Sequence, residues 1–472
     1  MSFNSPTFLI FYATVFVLYW LLPYRKQNIL LLAASYFFYA SWDYRFLWLL
    51  ILSSTIGYFL GIAIDKAPTQ LRRKSLMILG VVLNIGILSY FKYFTFLTSN
   101  LRILSHWLDL PISAPAWKVV LPIGISFYLF HTLSYLIDIY RGVSKPNRNF
   151  INVSLFVAFF PLLVAGPIER AAHLLPEIDA PRFLKGKNLL RGADLILWGF
   201  FKKIFIADNI AKYASQVFND PASASGITIL LATYAFALQI YCDFSGYSDI
   251  ARGVSKTLGF ELNLNFSLPY FSKSPSDFWK RWHISLSSWL RDYLYIGMGG
   301  NRNGVWKTYR NLIVTMFLGG LWHGANWTFI IWGCFHGGIL VIQRLVHPLT
   351  SLLGKAGRFA KTIGFLQIIF MFQVTCIGWL IFRSNSIGDL GIIIYNLTHR
   401  FVTDSSSLLI LRAILKYGWF LVAVQVIQYA RSDLKFFPAH WLEARWAFYL
   451  FMLCCIFFMG NFDKTEFIYF QF

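Results

Sequence analysis

Apolar residues in this chain come in long blocks rather than in the short stripes of a soluble fold. Tracts with little or no charge run over Phe8–Leu22, Ile29–Trp42, Phe46–Ile64, Ser75–Tyr90, Val119–Ile137, Phe150–Pro167, Leu195–Ala207 (interrupted by Lys202 and Lys203), Gly226–Tyr241, Asn311–Gln343, Thr362–Phe382, Leu408–Tyr429 and Trp446–Gly460. A helix that spans a bilayer needs ~20 apolar residues, and within lipid a helix satisfies all of its own backbone groups. The pattern predicts an all-α polytopic membrane protein of roughly eleven spans, with some tracts re-entrant and other helices lying at the interface. No internal repeat or low-complexity linker divides the chain. A single integral membrane domain over residues 1–472 is expected, with 252–310 as its largest excursion from the bilayer.

Charge orients those blocks. The chain is 57% hydrophobic and 13% charged, with a formal net charge of +21, whereas a soluble domain is about 25% charged. Arg25-Lys26, Lys66 with Arg72-Arg73-Lys74, and Arg141 with Lys145 and Arg148 follow the first, third and fifth tracts. This positive-inside pattern puts those loops in the cytoplasm and the N-terminus outside. Arg182 and Lys185 make the next loop basic too, which requires the short sixth tract to dip in and return. The segment Arg252–Arg310 is again basic and is expected in the cytoplasm. No clustered basic face carries a nucleic-acid motif, so the expected partner is membrane lipid and not nucleic acid.

Met1–Tyr24 lacks a basic n-region and a small-residue cleavage site and reads as a retained first helix. None of Cys242, Cys334, Cys376, Cys454 and Cys455 forms a C-x-x-C pair, so neither a disulfide framework nor a metal site is expected. The nucleotide-binding loop and H-E-x-x-H are both missing, which removes ATP-driven transport and zinc proteolysis as first readings. Gly297-Met298-Gly299-Gly300 predicts a tight turn.

His323 stands in Gly319-Gly320-Leu321-Trp322-His323-Gly324-Ala325-Asn326-Trp327, inside a run from Asn311 to Gln343 that has no Asp, Glu, Lys or Arg. An ionisable ring at bilayer depth is costly and marks a functional site by default. Burial is expected to lower its pKa and so keep it a neutral proton acceptor. As one helix this run of about 33 residues would reach ~50 Å, against a hydrocarbon core of ~30 Å. It must tilt strongly or break, and the glycines at 319, 320 and 324 with Asn326 mark the break. On a continuous helix His336 would lie roughly 20 Å from His323 and outside its reaction centre. A packing role competes with a catalytic one, because Gly320/Gly324 and Gly333/Gly337 have the spacing of close helix contacts.

Asp277 to Tyr293 has helical periodicity. Lys280, His283, Ser287 and Arg291 would share one stripe, with Phe278, Trp282, Leu286, Trp289 and Tyr293 on an aromatic face. Two readings of this amphipathic helix stand side by side: an anchor at headgroup level, or the lining of a cytoplasmic entrance in which cations hold an anionic donor near His283.

Three tracts then point to a family: Ile240-Tyr241-Cys242-Asp243-Phe244-Ser245-Gly246-Tyr247-Ser248-Asp249, Phe278-Trp279-Lys280-Arg281-Trp282-His283-Ile284-Ser285-Leu286-Ser287, and Leu321-Trp322-His323-Gly324-Ala325-Asn326-Trp327. They resemble successive motifs of the membrane-bound O-acyltransferase family. The likeness is strongest to its bacterial branch, which includes the alginate O-acetylation membrane protein and the lipoteichoic acid D-alanylation protein. Pro122-Ile123-Gly124-Ile125-Ser126-Phe127-Tyr128, Ala165-Gly166-Pro167-Ile168 and Trp379-Leu380-Ile381-Phe382-Arg383 extend it over nearly the whole chain. Cys242, where the pattern is more often aromatic, and Arg252, where it is not usually basic, depart from it.

The resemblance implies a multi-helix bundle with a tunnel or funnel through the bilayer, in a bacterial inner membrane. It implies His323 as the catalytic residue and His283 as a second participant. The expected chemistry is acyl transfer from a cytoplasmic thioester such as acetyl coenzyme A, with no bound cofactor. Lys280, Arg281 and Arg291 would meet the donor's phosphates. Trp322, Asn326 and Trp327 would shape the site, Asn326 as an oxyanion donor. The acceptor is expected to be a cell-surface or extracellular polysaccharide, reached through a periplasmic partner protein; a teichoic acid, peptidoglycan or lipid acceptor is the alternative. A transporter or lipid scramblase is the rival from another class, although the repeated halves usual in transporters are missing.

Overall fold

The computed structural model describes residues 1–109, 119–164, 166–353, 359–434, 442–463 and 467–468, with the backbone alone over 347–353 and at 442. Ala165 of the fifth family-like motif lies outside the described residues. Among those described, every regular element is helical. The chain forms two compact units, Met1–Ile196 with Ser248–Asn263, and Leu197–Tyr247 with Leu264–Phe472.

The first unit holds α1 (Pro6–Leu21), α2 (Tyr24–Asp43), α3 (Leu47–Lys66), α4 (Gln70–Trp107), α5 (Ile125–Arg141), α6 (Phe150–Ala158), α7 (Phe160–Leu163), α8 (Ala171–Asp179) and most of α9 (Gly186–Phe200). Helix α5 is its centre. Every residue from Ile125 to Leu136 is buried, the polar Ser126, His131, Thr132 and Ser134 among them, and α3, α4 and α6 pack around the helix. Gly124 opens α5 in the left-handed conformation, φ 72°, and a Cβ there would stand 2.2 Å from the Leu163 carbonyl oxygen. Only glycine fits that turn, which accounts for the Pro-Ile-Gly-Ile-Ser tract.

Arg182 pins this unit together. Its guanidinium donates to Tyr19 Oη at 2.6 Å and to the Ile178 carbonyl at 3.0 Å, donates also to Asn28, and lies over the Phe260 ring at 4.8 Å. The sequence pattern counts Arg182 as a loop charge, but the structure makes it a buried clamp, which a charge at that depth requires.

The second unit holds α10 (Asp208–Asn219), most of α11 (Gly226–Thr257), α12 (Pro275–Arg281), α13 (Ile284–Trp289), α14 (Val305–His323), α15 (Trp327–Leu353), α16 (Ala360–Arg383), α17 (Ile387–His399), α18 (Ser405–Arg431) and α19 (Leu442–Met459). A π-helical turn, Phe201–Ala207, carries the two lysines that interrupt the seventh tract. Both are buried and partnered: Lys203 Nζ lies 2.8 Å from Asp208 and 2.8 Å from Asp243, and Lys202 donates to Ser245 at 2.9 Å. The turn at Gly297–Gly300 forms as expected, with Gly299 and Gly300 at positive φ.

Among the described residues, six helical stretches are long and apolar enough to cross a membrane: Tyr24–Lys66, Gln70–Trp107, Gly226–Thr257, Trp327–Val346, Ala360–Arg383 and Ser405–Arg431. On α18, Leu408, Leu411, Leu415, Trp419, Val422 and Val426 form an exposed stripe at helical spacing. A soluble protein rarely exposes so continuous an apolar face, whereas lipid favours it.

Candidate active site

The run from Asn311 to Gln343 breaks, as its length demands. Helix α14 ends at His323, Gly324 is extended, and α15 begins at Trp327 after Asn326 Oδ1 accepts from the Thr328 N–H at 3.2 Å. The two halves fold back on each other at backbone contact. A Cβ on Gly320 would lie 2.2 Å from the Phe329 carbonyl oxygen, and one on Gly333 2.4 Å from that of Met316. Thus the packing role read into these glycines is real, and it is what builds the site.

The hairpin corrects the expected separation of His323 and His336. That distance assumed a straight helix, whereas the reversal sets both histidines against one indole. Ring centroids of His323 and Trp332 are 4.9 Å apart, and those of Trp332 and His336 are 4.6 Å apart. On the other side, Trp322 lies 5.0 Å from His323 and 6.0 Å from His283. Three buried histidines therefore alternate with two tryptophans. Phe382 closes on His323 at 5.3 Å and Trp279 on His336 at 5.0 Å.

Polar groups inside this aromatic wall are significant. The Trp279 Nε1, Trp332 Nε1 and His336 Nδ1 atoms are buried with no hydrogen-bond partner among the described residues. Buried polar atoms are nearly always partnered, so these three stand out among the aromatic rings around them.

The expected amphipathic helix from Asp277 to Tyr293 does not exist as one element. Helix α12 ends at Arg281, Trp282 is extended, His283 is left-handed at φ 42°, and α13 starts at Ile284. Asn265 causes the break: its side-chain oxygen accepts from the Ser285 N–H at 3.2 Å and lies 3.2 Å from His283 Nδ1, a long-range claim on the backbone that local periodicity does not reveal. His283 is consequently 0% exposed and off the cationic stripe. Burial lowers its imidazole from the ordinary value to about 3 and keeps the ring neutral.

The cations divide. Lys280 is exposed. Arg281 donates to Asp277 at 2.8 Å and to the Ser267 carbonyl at 3.3 Å, and Arg291, also exposed, pairs with Asp292 at 2.8 Å. Among the residues read as shaping the site, Trp322 is central and buried, whereas Trp327 is 46% exposed. Asn326 donates its amide to the Asn385 carbonyl at 2.9 Å and so ties the helix break to the end of α16. Spacing along a straight helix sets His336 apart from His323, and the sequence pattern gives Asn265 no role. The glycine-rich break was a signal for the first; nothing in the Asn263-Leu264-Asn265-Phe266 loop signalled the second.

Residues 35–382 match the model of the membrane-bound O-acyltransferase family. A probable alginate O-acetylase of Azotobacter vinelandii is 43% identical over 392 residues, covering 82% of this chain and 76% of that protein. A peptidoglycan O-acetyltransferase of Helicobacter pylori is 34% identical over 422 residues, covering 82% and 78%. A teichoic acid D-alanyltransferase of Bacillus subtilis is 28% identical over 287 residues, covering 57% and 70%.

Proposed function

Because the chain belongs to the membrane-bound O-acyltransferase family, we propose that it moves an acetyl group from a cytoplasmic thioester to a hydroxyl of a cell-surface or extracellular polysaccharide, by way of an extracytoplasmic partner protein. The observation that carries this reading is His323, buried at a helix break and flanked by Trp322 and Trp332. The similarity to alginate O-acetylases supports the acetyl group and the polysaccharide acceptor.

In this reading His323 takes the proton of the acceptor hydroxyl as its oxygen attacks the thioester carbonyl. The C–O bond forms, the C–S bond breaks, and the imidazolium returns the proton to the departing sulfur. His283 is a second participant. The donor, acetyl coenzyme A or another acyl thioester, approaches from the side of Lys280 and Arg291, whose exposed charges suit its phosphates. The ring nitrogens of Trp279, Trp332 and His336 offer polar contacts within an otherwise apolar passage. The enzyme works as one multi-pass domain of a bacterial inner membrane, crossing it roughly eleven times, with 252–310 towards the cytoplasm.

Purified protein given radiolabelled acetyl coenzyme A is expected to release or transfer the label. Addition of an alginate-like polysaccharide, peptidoglycan fragments or teichoic acid then identifies the acceptor class. A protein that neither hydrolyses nor transfers the label, yet moves protons or lipid across vesicles, would be a transporter or scramblase.

A further inference from the structure

Asn265 is 1% exposed and sits in the loop between α11 and α12. Both of its oxygens grip the turn that carries His283. Its main-chain oxygen accepts from the Ile284 N–H at 2.9 Å. Its side-chain oxygen accepts from the Ser285 N–H at 3.2 Å, from Ser285 Oγ at 2.9 Å, and lies 3.2 Å from His283 Nδ1.

The orientation of the Asn265 amide follows from these partners. A backbone N–H can only donate, so the atom facing Ser285 N, and with it His283 Nδ1, is the oxygen. Ser285 Oγ, 3.4 Å from Nδ1, gives its own proton to Asn265 and so can only accept from the ring. Asn265 Oδ1 and Ser285 Oγ thus both stand beside Nδ1 as acceptors. Nδ1 must therefore carry the proton, and the lone pair of the neutral ring is on Nε2. A hydrogen bond at one ring nitrogen sets the chemistry of the other in this way.

We infer that Asn265 is a positioning residue that holds His283 as its Nδ1–H tautomer and presents Nε2 as the proton-accepting nitrogen. The inference rests on the proposed participation of His283 in acyl transfer. Phe244 on α11 at 4.6 Å, Phe266 on the Asn265 loop at 6.4 Å and Trp322 on α14 at 6.0 Å face the ring and carry no charge. Asp243, next to Phe244 on α11, is held in its ion pair with Lys203.

Asn265→Asp keeps the acceptor oxygens and adds a negative charge beside Nδ1–H, which favours the imidazolium. The His283 ring should therefore take up its second proton at a higher pH in Asn265→Asp than in wild type, read from its ¹⁵N ring signals. Asn265→Leu removes the acceptor, and kcat should fall by roughly 10- to 100-fold with the KM for the thioester little changed. A second measurement does not depend on activity. In wild-type protein labelled with ¹⁵N-histidine, the ring signals that vanish in His283→Gln should show a protonated Nδ1 and an unprotonated Nε2. A protonated Nε2 in wild type, or an Asn265→Asp protein whose His283 ring protonates at the wild-type pH, overturns the inference. Wild-type activity in His283→Gln would instead remove His283 from the reaction, and the ring signals would still decide the tautomer.

Discussion

Trp332 stands edge-on to His323, 84° between the ring planes and 4.9 Å between centroids. The same indole meets His336 at 4.6 Å, so the α14–α15 hairpin makes one wall of two histidines that the sequence spaces apart. Gly378 holds that wall from behind: a Cβ there would lie 2.8 Å from His336 Nε2.

Gly378→Ala should therefore press His336 towards Trp332. Overpacking of this kind costs typically ~1–3 kcal/mol, and acyl transfer should fall with the shift. Thermal unfolding in detergent and the transfer rate check both; a variant with unchanged stability and rate would mean that the His336 ring has room to move.

Burial places the His283 imidazole at about 3, while an unfolded histidine titrates at ~6.5. Between those values the unfolded chain binds the extra proton, so stability contributed by the neutral ring is present above ~6.5 and is lost as pH falls towards the folded value. Thermal unfolding at pH 7 and pH 5 should show wild-type protein losing more stability on acidification than His283→Gln. An equal loss in both would show that the ring is not held neutral.

Lys203 lies between two buried carboxylates. Lys203→Met leaves Asp208 and Asp243 facing each other without a cation, and breaking a buried pair costs ~3–5 kcal/mol. We expect poor recovery of folded protein by size-exclusion chromatography, and partial rescue when Asp243→Asn is added to Lys203→Met. A single variant as stable as wild type would show that water reaches the cluster.

The positive-inside reading is tested by labelling a chain in which the five native cysteines have been replaced. A cysteine at Lys273 should react only from the cytoplasm and one at Asn4 only from outside. Reaction of both from one face would break the route from a cytoplasmic donor to an outer acceptor.

Much of this architecture was legible in the chain. The apolar tracts reappear as helices, and the break beside His323 follows from length and from Gly324, whose Cβ would meet the Phe329 ring at 2.2 Å. Three features were not legible, each for a physical reason. His336 reaches Trp332 only because the helix reverses, which spacing along a helix cannot express. The periodicity of Asp277–Tyr293 is real, but hydrogen bonds accepted by Asn265, 18 residues before His283, outweigh it. Arg182 looks like any loop arginine until Tyr19, Asn28 and Phe260 close around it.

The central claim is that His323 is the base of an acyl transfer. His323→Gln keeps a polar side chain of similar reach at the helix break, so the purified variant should fold like wild type by its elution volume and unfolding temperature. Transfer of radiolabel from acetyl coenzyme A should nonetheless fall by ~10²- to 10⁴-fold, the contribution of a positioned general base. Transfer at the wild-type rate by folded His323→Gln would contradict the account.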